Sequence, residues 1–517
     1  MTVRSAALFI AALGGCSGPA AAPPLQWPPP GRAPPPVDAA VLDVPPALAL
    51  RGEACGVVAC AEGMTCTPQP GGYCASACTP GAVGECPEGE CVATARSGAQ
   101  CLARCTTDAE CRTSEGYVCD HDWHACLIPN TAVIVPRRCP AFGAARDKAF
   151  GAAVRATTAT GAQRDPSAVI TDGGDVIAWA TGDTHAQPRL ARDKKGILYA
   201  VWLAAEGRAR RIELARSRDG GRTWSTPDTV DAAQCDDRDP ACLDRPAIAI
   251  GAASPGTGND LVHVLYAAGG GIRVATSHDE GATFRRPVTA VPGLLAAATV
   301  GADGTLHVVA LDPGTAVPGF GSADHRILYT TSSDNGRTFA KAQRLSDRDD
   351  RLPFFGAIPA VAVDTKRKQV YAAYVRGGRD AVWELVIAAS KRDGKNVWKR
   401  TRAGGDGCAT QLAPALALDP TTGTLHVGWY DNRGGGRYAR ATCRTGAAAC
   451  TEQGAISDAR FAVFALDRDP PRALGDTSAL VIDVKRRALY AVWTQPVIDD
   501  GRVVTRILRA TATLPKK

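Results

Sequence analysis

The sequence has no long run of basic residues, no apolar stretch of membrane-spanning length and no Cys-x-x-Cys pair. Each absence excludes something. The net charge of +7 is spread thinly along 517 residues, which suits solubility and gives no electrostatic footprint for nucleic acid. The first apolar run, Ser5 to Leu13, is too short to cross a bilayer. Only His121 and His124 lie among the clustered cysteines, so zinc has no ligand set there. No nucleophile-elbow or Ser-His-Asp motif stands out. No metal and no cofactor is expected.

What is present begins with a targeting segment. Arg4 precedes Ser5 to Leu13, and the run ends Leu13-Gly14-Gly15-Cys16. Those last residues resemble a bacterial lipobox, which implies cleavage before Cys16 and a diacylglyceryl group on it. The expected location is the bacterial cell envelope, outside the cytoplasm, with the lipid as the membrane attachment. Residues 17–50 are rich in Pro and Ala and read as an extended spacer. Of the 19 cysteines, 18 remain after Cys16, and twelve of them fall between Cys55 and Cys126. That density suits an oxidising compartment and a module at 51–130 in which disulfides replace a core. Its pattern vaguely resembles EGF-like modules, and its connectivity is not deducible from spacing.

The remaining residues, 131–517, are organised around a repeat. Ser217-Arg218-Asp219-Gly220-Gly221-Arg222-Thr223-Trp224 returns as Ser277-His278-Asp279-Glu280-Gly281-Ala282-Thr283-Phe284 and again as Ser332-Ser333-Asp334-Asn335-Gly336-Arg337-Thr338-Phe339. All read Ser-x-Asp-x-Gly-x-Thr-aromatic. The Asp can accept hydrogen bonds from its own turn, the Gly supplies positive φ, and the aromatic is an apolar anchor. The three copies resemble the Asp boxes, or BNR repeats, of sialidase-like β-propellers. The resemblance implies an all-β propeller in which the boxes are folding elements on the turn between third and fourth strands.

Six paired-strand openings follow, at Pro188, Pro246, Leu295, Pro359, Pro414 and Ala479, which predicts six blades. A fourth box, Ser390 to Trp398, is degraded. The last blade has room for three strands only, so a strand from elsewhere must complete it. The candidate is Val176-Ile177-Ala178-Trp179, preceded by a turn at Thr171 to Gly174. Cys235 with Cys242 and Cys443 with Cys450 are candidate loop clips. Cys139 and Cys408 remain as a pair by elimination.

In sialidase-like propellers the ligand binds the face opposite the boxes. The resemblance places there the loops 234–245, 346–351, 404–411 and 430–438. Tyr430, Asp431, Arg433 and Arg437 are the candidate ligand-binding residues, suited to an acidic sugar, or else a solvated turn. Asp236, Asp237 and Asp239 are a weaker calcium candidate, since they lack ordered ligand spacing. Active sialidases carry Arg-Ile-Pro or a variant on the first blade's first strand, where a guanidinium binds the substrate carboxylate. Two residues before Pro188, Pro246 and Pro359 stand Ala186, Asp244 and Ala357, and Arg138-Cys139-Pro140 lies outside the strand. No catalytic residue is therefore assigned. The expected function is a non-catalytic, surface-tethered binder of an extracellular or envelope glycan or protein. The alternative is a divergent exo-α-sialidase-type hydrolase.

Overall fold

The computed structural model describes residues 48–515 with internal gaps, the longest being 79–85, 135–145, 315–324 and 462–473, together with the backbone of Arg4–Ser5. Cys16 and most of the spacer therefore lie outside the described residues, as do Cys139, Cys408 and residues 392–397 of the fourth box.

The Cys-rich module contains a repeat that its sequence conceals. Its disulfides are Cys55–Cys66 and Cys60–Cys74, then Cys78–Cys91 and Cys86–Cys101, then Cys105–Cys119 and Cys111–Cys126. In each group of four, the first pairs with the third and the second with the fourth. Three tandem units result. Loops of such length each restrict the unfolded chain by about 3 kcal/mol in the chain-entropy picture. The units share a small core of Tyr73, Val92, Leu102, Tyr117 and Leu127. Arg112 clasps the third unit to the first. Its guanidinium lies 4.7 Å from the Tyr117 ring centroid and 5.4 Å from that of Tyr73, and it donates to the Gly72 carbonyl at 2.6 Å. Val133–Ile134 pairs with Gly89–Thr94, so the module runs past residue 130.

The rest is a β-propeller. Short apolar runs broken by Asp- and Gly-containing turns fold as antiparallel four-stranded sheets, and six of these are present. They span Arg189–Gln234, Asp244–Pro292, Leu295–Arg344, Ala360–Arg402 and Gln411–Ala455, with the sixth starting at Ala479–Asp483. Strands buried on both faces need apolar residues on both, and core clusters accordingly bridge successive blades. Tyr199 and Leu214 of the first pack with Val262 and Tyr266 of the second. Leu265 and Val274 of the second pack with Leu306 and Val308 of the third. One cluster joins the third to the fourth, and another runs through the fourth, fifth and sixth.

Ring closure differs from the sequence expectation. The sixth blade is completed by Val154–Arg155, opposite Leu508 and Arg509, and not by Val176–Trp179. Those four residues belong instead to a hairpin of Gln163–Thr171 and Gly174–Thr181, with Arg4–Ser5 alongside in parallel. The hairpin is an additional, truncated unit of the ring. Ile177 and Trp179 pack on Val492 and Ile507 of the sixth blade, while Val176 and Ala178 pack on Leu198 and Trp202 of the first. The physical reason is burial on both faces: a hairpin wedged between two blades shields both. Asp147 reinforces closure nearby, accepting from Arg440 Nε at 2.7 Å in a buried ion pair that joins the chain ahead of the hairpin to the fifth blade.

The repeated turns are built alike. Asp219 Oδ1 accepts from Arg222 N and Thr223 N, both at 2.9 Å, and Oδ2 accepts from Thr223 Oγ1 at 2.7 Å. Ser217 Oγ donates to Asp219 and accepts from Gly221 N at 2.8 Å. Ser277, Asp279, Gly281 and Thr283 repeat this arrangement, as do Ser332, Asp334, Gly336 and Thr338. Gly281 has a φ of +82°, and a Cβ there would lie 3.0 Å from Leu214 and 3.6 Å from Tyr199 of the preceding blade. Trp224, Phe284 and Phe339 each pack into the core shared with the preceding unit. Each box is thus a clamp between neighbours.

Candidate functional site

The end of the ring opposite the boxes is where every innermost strand begins. Several of these strands start with the same device. Asp165, Gln187, Arg245 and Ala413 have φ of +53°, +42°, +47° and +49°, and each immediately precedes a proline. Non-glycine residues are uncommon in this region and mark positions the surrounding fold must enforce. The strand ladder slips at three of them, between Arg164 and Ser167, Asp244 and Ala247, and Leu412 and Ala415. Such bulges re-aim side chains. Here they gather charged ones.

The gathered group is Arg164, Asp165, Arg189, Asp244, Arg245 and Asp476. Asp476 N donates to Asp165 Oδ1 at 2.7 Å. Arg245 contacts Asp244 Oδ2 at 2.8 Å and Asp476 Oδ2 at 3.4 Å. Gly475 permits the approach, since a Cβ on it would stand 2.6 Å from Asp165 Oδ1. Burial pushes the Asp165 carboxyl up to about 6, and the neighbouring Asp476 charge pushes the same way, against Arg189 and Arg164. Burial likewise pulls Arg189 below its ordinary value, opposed by Asp165 and Asp476. Arg189 donates to the Pro188 carbonyl at 3.0 Å and has no carboxylate within ion-pair distance among the described residues. Chemically, this is a cluster of guanidinium donors around a carboxyl held above its ordinary range.

This group is hidden in the sequence for a definite reason. Ala186, Asp244 and Ala357 stand two residues before Pro188, Pro246 and Pro359, but the hairpin, which is not legible as a blade, opens on a proline of its own. Arg164-Asp165-Pro166, on the hairpin, carries an arginine at that position. Asp244 was seen only as a failed arginine, although its neighbour Arg245 is what the bulge turns toward Asp476.

The loop candidates are placed differently. Tyr430 is buried: its hydroxyl accepts from Thr494 N at 2.8 Å, and its ring meets Tyr438 edge-on. Burial raises its phenol well above the ordinary value. Asp431 is also buried and accepts from Trp429 Nε1 at 2.9 Å and Gln411 Nε2 at 3.4 Å. Both therefore serve the fold, because residues ending a strand inside the ring are covered by the next blade. Arg437 lies on the adjacent strand, half-buried, and Arg433 lies outside the described residues. So do Asp236, Asp237 and Asp239, although the flanking Cys235 and Cys242 are disulfide-bonded, as are Cys443 and Cys450.

No protein-family model and no curated protein matches the chain. Solved structures resemble it at low identity. A protein of unknown function from Dyadobacter fermentans is 14% identical at a TM-score of 0.44, over 68% of this chain and 99% of that one. Penicillium chrysogenum α-L-arabinanase complexed with arabinobiose is 15% identical at 0.39, over 62% and 92%. Trypanosoma rangeli sialidase is 12% identical at 0.40, over 70% and 59%. At these scores the likenesses carry no argument about chemistry, which rests on the residues themselves.

Proposed function

We propose that this charged cluster lines a recess at the strand-start end that binds a carboxylate-bearing glycan without cleaving it, and that the protein meets this ligand outside the cytoplasm, tethered through a lipid on Cys16. One observation carries the reading. Arg189 is a guanidinium partly withdrawn from water that lacks a direct carboxylate partner among the described residues. Removing a charge from water without a partner is costly, and a bidentate ligand carboxylate offsets that cost. Arg245 beside it is already held by Asp244 and Asp476, so Arg189 is the guanidinium that would meet the anion. The absence of cleavage is supported by Tyr430, which feels the Asp165 charge but whose hydroxyl is bonded within the core.

A second reading has its own observation. A carboxyl near 6, such as Asp165, suits a general acid at neutral pH, so a divergent glycoside hydrolase is the competing function. The test is a glycan array with the full chain, run beside a sialoside hydrolysis assay. The expected result is retention of acidic glycans, weakened by Arg189→Ala, and no turnover. Turnover that Asp165→Asn abolishes would establish the hydrolase instead. Failure to retain any acidic glycan would sink both.

A further inference from the structure

On the box face, a notch lies beside the truncated unit. There the box glycine of the first blade, Gly221, faces Val176 at 3.2 Å and Leu198 at 3.5 Å. Among the described residues the hairpin lacks the third and fourth antiparallel strands of its neighbours. The result is a cleft of about 310 Å³ between Thr171–Val176 of the hairpin and the Arg192–Gly196 and Arg218–Arg222 turns of the first blade.

The cleft has two properties that bear on an occupant. First, its wall is a strand edge. Gly174–Thr181 uses one edge to pair with Gln163–Thr171. Among the described residues the other edge pairs only with Arg4–Ser5, which lie parallel opposite Val176 and Ile177. That edge therefore accepts an extended chain, and a partner strand would take the place that Arg4–Ser5 leaves once the chain is cleaved before Cys16. Second, its cations outnumber the carboxylates free to meet them. Asp172 is taken by Arg192 and Lys485, Asp175 by Arg509, and Asp219 by its own turn. Glu280 serves both Lys195 and Arg218, so two cations share one carboxylate. Arg222 is exposed on the rim.

We propose that this notch is a strand-addition site for an extended, acidic peptide segment of a partner protein. Main-chain hydrogen bonds to Gly174–Thr181 give the affinity, and acidic side chains meeting Lys195, Arg218 and Arg222 select the partner. The site lies at the other end of the ring from the glycan recess, so the two are separable.

The test titrates the full chain with a fluorescent decapeptide of alternating Val and Glu and with its Val–Lys counterpart, reading anisotropy and amide hydrogen exchange. The Glu peptide is expected to bind at least tenfold more tightly than the Lys peptide and to slow exchange along Gly174–Thr181. Lys195→Glu with Arg222→Glu should weaken the Glu peptide at least tenfold. Arg222→Glu alone, on an exposed side chain, should weaken it by a smaller factor and keeps the test readable if the double variant unfolds. Equal binding of both peptides, no binding at millimolar peptide, or protection confined to the opposite end overturns the proposal. So does full displacement by inorganic sulfate without strand protection, which assigns the notch to small anions.

Discussion

Aspartates at the two ends of the ring have opposite electrostatics. Asp219 is lowered to about 2, chiefly by the Thr223 amide and despite its own slight desolvation. Asp279 and Asp334 are also lowered to about 2: desolvation opposes the shift, but bonds from Thr283 and Thr338 outweigh it. Asp165 is raised to about 6 because burial dominates and Asp476 adds a like charge. The box carboxylates sit in water with donors already arranged by the turn, so the charged form is favoured. The recess carboxyl has lost water and gained only partial compensation. Residue type therefore says little about role. The donor count around the side chain says much more: it separates carboxylates whose charge the fold stabilises from one whose charge the fold opposes.

The largest expected effect extends this comparison to a third carboxylate. Asp147 is buried with Arg440 as its ion-pair partner, and Arg440→Ala leaves that charge unpaired. A loss of about 3–5 kcal/mol is expected in chemical denaturation. A loss below 1 kcal/mol would mean that the pair gains no more than its burial costs. Next comes Arg189→Ala, which should weaken acidic-glycan binding by about 2–3 kcal/mol, roughly a hundredfold, while leaving stability within about 1 kcal/mol. Asp279→Ala should do the reverse. It should cost about 1–3 kcal/mol of stability through unsatisfied turn donors and leave glycan binding by the folded fraction unchanged. An Asp279→Ala protein as stable as the parent but unable to bind would collapse the distinction between the two ends.

The smallest effect concerns pH, and its sign differs between the ends. The box carboxylates have folded values below the ordinary 3.8, so their stabilisation is present above that value and fades as pH falls toward about 2. Asp165 has a folded value above 3.8, so its favourable contribution is present below 3.8 and is lost as pH rises through about 6. Asp165→Asn keeps the acceptor for Asp476 N and removes the charge. It should raise Tm at pH 8 relative to the parent and have little effect at pH 4. A variant less stable than the parent at pH 8 would show that the carboxylate is fully compensated by its arginines.

Much of the fold was legible because it repeats. A Ser, Asp, Gly, Thr and aromatic at fixed offsets cannot recur without repeating the same turn, and Pro- or Leu-opened apolar pairs mark each blade. The truncated unit was not legible as a unit, because Gln163–Thr181 has no box and its Val176–Trp179 run fits any two-sided strand. The one-to-three, two-to-four disulfide pattern was hidden because loop lengths vary between units while connectivity does not. The recess escaped notice for a different reason. Its geometry depends on left-handed backbone at Asp165, Gln187 and Arg245, which a sequence does not announce for residues other than glycine. The 430–438 loop drew attention by composition alone, and composition does not reveal that Tyr430 and Asp431 face inward.

The pairing that closes the ring has a consequence for how the chain comes to be folded. Gln163 and Thr505, which meet in it, are 342 residues apart. Until the last blade has been synthesised, the hairpin and the Val154–Arg155 strand have nothing to close against, and each growing stack of blades ends in an uncovered apolar face. The ring is thus assembled in one late step with a large entropic barrier, which favours slow folding. The three disulfide units have no such long-range requirement, since each needs only its own four cysteines and an oxidising compartment. One chain therefore contains a part that can close locally and a part that needs the whole ring, and the interval between them is when protection from self-association matters most.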